Sequence, residues 1–223
     1  MYWTIFFAVL ILSSLVQSTL NSRFRKYSKI ELSSSLTGAE VARKMLADHR
    51  INDVTVTCVK GHLTDHYNPA DRTINLSEDV YYGRSVASAA VAAHETGHAV
   101  QDYVDYGPLR LRSSLVPIVN FANNTVQWVL LAGCILINII GPSVLYLGIA
   151  LFGATVLFSF ITLPVEIDAS QRAVQWLDGA GIVNEVTKPM AKDALKWAAY
   201  TYVVAAISSI ATLLYYIGIA RRD

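Results

Sequence analysis

From Arg112 to Glu166 the chain runs 53 positions without a charged residue. A helix that crosses a bilayer needs about 20 consecutive apolar residues, so this stretch is long enough for two. Gly141-Pro142 divides it with the turn chemistry that two antiparallel spans require. Two further apolar segments lie outside the gap, Tyr2 to Leu20 and Trp197 to Ala220. With 53% hydrophobic and only 16% charged residues, the whole chain is too apolar for an ordinary soluble domain. The expectation is a mainly α integral membrane protein with about four transmembrane helices.

The spans divide the chain into residues 1–20, an N-terminal anchor; 21–112, a polar region; 113–165, two transmembrane helices; 166–196, a second polar segment; and 197–223, a C-terminal span. The first segment differs from a secretory signal, because no basic residue precedes it and no small-x-small site follows it cleanly. Arg23, Arg25, Lys26 and Lys29 come after it instead. They join Arg110 and Arg112, then Lys188, Lys192 and Lys196, on one side, against Arg221 and Arg222 on the other. Positive loops stay in the cytoplasm, so both polar segments are expected there, in a multi-pass, bacterial-type plasma-membrane protein. The net charge of +1 points to no nucleic-acid partner. Cys58 and Cys134 lie in a polar and an apolar segment, and a disulfide between them is not expected.

Within 21–112 the hydrophobic period changes twice. Thr37-Gly38-Ala39-Glu40 is a capping box ahead of an amphipathic helix to about His49. Val54, Val56 and Cys58 then alternate with threonines as a strand. Leu63 to Tyr67 and Thr73 to Leu76 are two more, separated by an Asn68-Pro69-Ala70-Asp71 turn. An alanine-rich helix follows, from near Ser85 to about Tyr103, before Gly107-Pro108. The polar portion is therefore a small α+β unit with a short β-sheet.

That helix contains His94-Glu95-Thr96-Gly97-His98, an HExxH motif. Two histidines four apart share one helix face and can bind one metal ion, with Glu95 beside them as a general base. Catalytic zinc usually takes three protein ligands, so a third is needed. It is sought in Glu166-Ile167-Asp168-Ala169-Ser170, where the third span ends. Glu166, Ala169, Ser170, Ala173 and Leu177 form a face of small and apolar residues that can lie against the HExxH helix, while Asp168 pairs with Arg172 on the polar face. Glu166 is thus the expected third ligand; otherwise it merely ends a span at the interface. A rival pattern is Leu177-Asp178-Gly179, which matches the LDG element of site-2-type intramembrane proteases, although Asp178 falls on the polar face.

Through Asp65-His66-Tyr67-Asn68-Pro69, Leu76-Ser77-Glu78-Asp79-Val80, the segment Ala92 to Gln101 and Glu166 to Ser170, the whole chain resembles the YugP-like family of membrane neutral zinc metallopeptidases. It is more distantly similar to the HtpX and CAAX-prenyl-protease gluzincins, whose HExxH is completed by a glutamate in an ExxAD pattern. That resemblance implies a zincin-like cytoplasmic portion, one zinc ion per chain held by His94, His98 and Glu166, and hydrolysis of a polypeptide with Glu95 as base. Ser170 stands where the gluzincins carry an aspartate that supports a zinc-bound histidine.

Other candidates are His62 and His66 as oxyanion donors, Asn75 on a strand that a substrate could extend, and Gln101 and Ser170 beside the metal ligands. Expected partners are the lipid bilayer, a polypeptide substrate that is itself a membrane protein, and a further membrane protein or a second copy of the chain. From a different class, the chain could be a zinc-stabilised membrane scaffold without catalysis.

Overall fold

The computed structural model describes residues 2–221. Its architecture is mainly helical, with one small sheet inserted between the first two long helices. Helix α1 spans Tyr2–Tyr27, α2 Gly38–Asp48, α3 Glu78–Tyr81, α4 Val86–Tyr103, α5 Gly107–Ile140, α6 Ser143–Gly179 and α7 Lys188–Ala220. The strands are β1 Thr55–Val59, β2 His66–Asn68 and β3 Thr73–Ser77.

Among the described residues, three helices are long and apolar enough to cross a membrane: Gly107–Ile139, Ser143–Gly179 and Lys188–Ala220. Only 22%, 17% and 17% of their most apolar windows are buried within the protein, so most of that surface needs an apolar solvent. Phe121, Trp128, Ile135 and Leu157 are among the large side chains left outward. Helices α5 and α6 pack closely through small residues. A Cβ on Gly133 would lie 2.6 Å from the Leu145 backbone, so only glycine lets the two backbones approach there. Gly141, at φ 74, takes the positive φ that the turn between them requires.

The sequence leads one to expect the third span to end at residue 165 and a separate polar segment to begin at 166. In fact α6 continues without a break for 37 residues through Pro164. At 1.5 Å per residue it is roughly 55 Å long, well beyond the ~30 Å hydrocarbon core. One rigid element therefore carries both the span and the Glu166 segment.

Thr37 caps α2 as expected: its hydroxyl accepts from the Glu40 N–H at 3.2 Å, and the Thr37 N–H donates to Glu40 Oε2 at 2.7 Å. The sheet has the order β1-β3-β2, with β1 and β3 parallel and β2 and β3 antiparallel. Its apolar residues Ile74 and Leu76 are fully buried and share one core with α2, α4 and the end of α6. Helix α4 runs through the middle of that core. Ser85 caps it by accepting from the Ser88 N–H at 3.1 Å, and Ala87, Ala89, Ala90, Ala92 and Ala93 are wholly buried.

Candidate metal centre

The chemistry collects where α4 crosses α6. Both helices are stripped to small residues at the crossing. A Cβ on Gly97 would lie 2.7 Å from the Ala169 carbonyl oxygen, a backbone atom that cannot step aside. Glycine inside the HExxH motif is therefore a packing requirement as well as a spacer.

That close approach puts Glu166, only 2% exposed, beneath the two histidines. Glu166 Oε2 lies 3.3 Å from His94 Nε2 and 3.6 Å from His98 Nε2. Donor atoms ~2.0–2.1 Å from a tetrahedral ion stand about 3.3 Å apart, so the spacing suits zinc. Among the described residues this is the one group of three or more histidines, cysteines or carboxylates close enough to hold a metal ion.

The hydrogen bonds behind the rings decide which nitrogen faces the cluster. Gln101 is fully buried, and its Nε2 donates to the Val165 carbonyl at 2.9 Å and to Asp168 Oδ2 at 2.7 Å. Its Oε1 must then accept, and it does so from His98 Nδ1 at 3.0 Å. A ring whose Nδ1 carries the proton offers the lone pair of Nε2 to a metal. Ser170 Oγ stands 3.1 Å from His94 Nδ1 and can accept from it in the same way. Burial pulls the His98 ring toward its neutral form, but Glu166 and Gln101 outweigh it and hold its pKa above the usual imidazole value.

Glu95, 9% exposed, sits beside the ligands and accepts from the Tyr67 N–H at 3.0 Å. Tyr67 also donates its hydroxyl to Asp102 at 2.8 Å, which clamps β2 to α4 at two points. A cavity of about 270 Å³ opens on His94 and Glu95, with Asp65, Val91, Leu195 and Tyr202 also in its wall. Burial pushes the Asp65 carboxyl above the usual carboxylate range; hydrogen bonds from Ser77 oppose this and the nearby Glu95 charge reinforces it. A larger cavity of about 600 Å³, lined by Arg25, His62, Asp79 and Arg84 among others, contains no residue of the cluster, so size does not mark the site.

Other expected site residues lie elsewhere. His66 is exposed and turned back to the Thr64 carbonyl, and His62 pairs with Asp79 at the surface. Asn75 is on β3, the central strand, where it accepts from Thr57 and donates to Thr73. Over Thr73 to Asn75 both edges of β3 are taken, so a substrate cannot extend it there as the sequence suggested; the outer strands of the sheet are β1 and β2. Asp178 is held by Lys188 at 2.6 Å, outside the cluster. Asp168 pairs with Arg172 at 2.6 Å as expected, yet it also supports Gln101. Arg112 and Tyr67 were not foreseen as site residues. Periodicity has no means of marking a backbone N–H or an arginine that reads as a membrane flank.

Fold and cluster together give, among the described residues, three helices long and apolar enough to cross a membrane and a donor set of the kind that holds zinc. The chain belongs to the family described as "Putative neutral zinc metallopeptidase", whose model matches residues 2–221. It is 46% identical over 214 residues to the "Putative membrane protease YugP" of Bacillus subtilis (strain 168), covering 95% of this chain and 93% of that protein. No solved structure matches it. The family implies zinc, peptidase activity and a polypeptide substrate.

Proposed function

We propose that the protein is a membrane-embedded zinc metalloprotease of the gluzincin type. His94, His98 and Glu166 hold one zinc ion, and Glu95 is the general base. The single observation that carries this is the convergence of two imidazole Nε2 atoms on one Glu166 oxygen, with each Nδ1 engaged from behind. When bound, zinc supplies Lewis acidity, lowering the pKa of a water and polarising a carbonyl. Glu95 would take a proton from the attacking water as its oxygen bonds to the carbonyl carbon, and give it to the amine as the C–N bond breaks; the Tyr67 N–H keeps its carboxylate in place. Tyr202, in the wall of the same cavity, is the candidate donor to the carbonyl oxygen.

Helix α1 is read as a fourth span, so that 1–20, 113–165 and 197–223 lie in a bacterial-type plasma membrane and 21–112 and 166–196 face the cytoplasm. Its support is that the basic flanks converge: Arg23 pairs with Asp193 of α7 at 3.4 Å, and Arg112 with Glu166 at 3.3 Å, at the end that carries α2 to α4. Substrates are then membrane-associated or cytoplasm-facing polypeptides.

The test is cleavage of membrane polypeptides by purified wild type and Glu95→Gln, with bound zinc measured in both. Loss of hydrolysis with zinc retained is the expected result. Equal zinc and no cleavage by either form would favour the scaffold reading instead.

A further inference from the structure

Glu166 presents its two oxygens to different partners. Oε2 faces both imidazole nitrogens, whereas Oε1 faces Arg112 Nη1 at 3.3 Å. Arg112 stands near the start of α5, just after Gly107-Pro108, where a membrane protein often places an arginine to meet lipid headgroups. Here the side chain turns inward instead. It is 29% exposed and ends on a carboxylate that is 3% exposed. A carboxylate buried this deeply needs compensation for the water it has lost, and a guanidinium supplies both charge and directed donors.

The consequence concerns coordination. A carboxylate can bind a metal through one oxygen or two, and a second oxygen would fill the position that a catalytic zinc keeps open for water. We propose that Arg112 is a positioning residue that holds Oε1 of Glu166 away from the metal, so that Glu166 ligates through Oε2 alone. This rests on the assignment of His94, His98 and Glu166 as ligands. It also links that assignment to the membrane hairpin, because Arg112 comes from α5 and Glu166 from α6, the two helices joined at Gly141-Pro142. The correct ligand geometry thus depends on the packing of two spans.

Cobalt substitution tests this directly, since four-coordinate Co2+ absorbs visible light far more strongly than five-coordinate Co2+. The cobalt-loaded wild-type protein in detergent should show the intense band. Arg112→Gln should weaken it as Oε1 joins the metal, and zinc affinity should fall about 10–100-fold, the usual effect of losing a group that orients a ligand. Arg112→Lys, which keeps the charge but not the planar fork, should recover both in part. A weak, five-coordinate spectrum in the wild type overturns the proposal whether or not any variant folds. So does an Arg112→Gln spectrum identical to wild type, whatever the affinity. If Glu166→Ala binds cobalt and zinc as tightly as wild type, the ligand assignment itself fails, a separate result.

Discussion

At the scale of single residues, the centre is organised by which atom of each side chain is already engaged. Gln101 has no freedom: both amide hydrogens go to Val165 and Asp168, so its oxygen has to face His98. Gln101→Leu would leave the His98 Nδ1–H, the Val165 carbonyl and one Asp168 contact without this partner. Zinc affinity should drop about 10–100-fold, measurable by competition with a chelating dye. Tyr202→Phe removes a hydroxyl that lines the cavity and contacts Glu166. If Tyr202 polarises the substrate carbonyl, kcat should fall about 10²–10³-fold with zinc content unchanged. The HExxH pair and Glu166 were legible because ligand chemistry and helical spacing sit directly in the letters. The roles of Gln101 and Ser170 were legible only as proximity. The hydrogen-bond directions that give them meaning depend on Val165 and Asp168, more than 60 positions away.

At the scale of elements, the α4–α6 crossing is the critical contact. Gly97→Ala would force α6 away at Ala169, and overpacking of this kind costs about 1–3 kcal/mol. The loss should appear as a lower thermal midpoint, accompanied by weaker zinc binding because Glu166 moves with Ala169. The Thr37 N–H and, after it, the Thr37 hydroxyl hold the Glu40 carboxyl below its usual value of 4.5. A depressed carboxylate stabilises the fold above its unfolded pKa and loses that effect as pH falls through the folded one. The stability difference between wild type and Glu40→Gln should therefore shrink below about pH 4.5 in thermal unfolding. Helix types, the capping box and the three strands were readable from period and turn chemistry. The order β1-β3-β2 was not, since strand neighbours are chosen by the shared face they bury, and this put β3 in the middle with β1 and β2 as the outer strands.

At the scale of the molecule, the proposed ligands come from two elements far apart in the chain: α4, inside the α+β core, and α6, the second helix of the α5–α6 hairpin. A metal that bridges them should stabilise their union. Chelation should lower the unfolding temperature, and restored zinc at a thousandfold excess over its Kd should return about 4 kcal/mol. Glu166→Ala should remove that zinc dependence, as read by differential scanning calorimetry in detergent. Membrane packing and metal site are coupled in the other direction too, because Arg112 and Glu166 meet only if α5 and α6 are paired.

What the amino-acid order determined alone is whatever depends on local period and composition. It specified where apolar segments are long enough for lipid, where a helix begins, and which two histidines and which carboxylate share suitable faces. The tertiary structure alone decided what depends on distance between remote segments. It made α6 one unbroken rod from span to site, seated Gly97 against Ala169, turned Arg112 from the membrane flank onto Glu166, and placed β3 between β1 and β2. Periodicity assigns a residue to a face, but a coordination site also requires that two faces meet to within an ångström, and only close packing of the whole chain sets that distance.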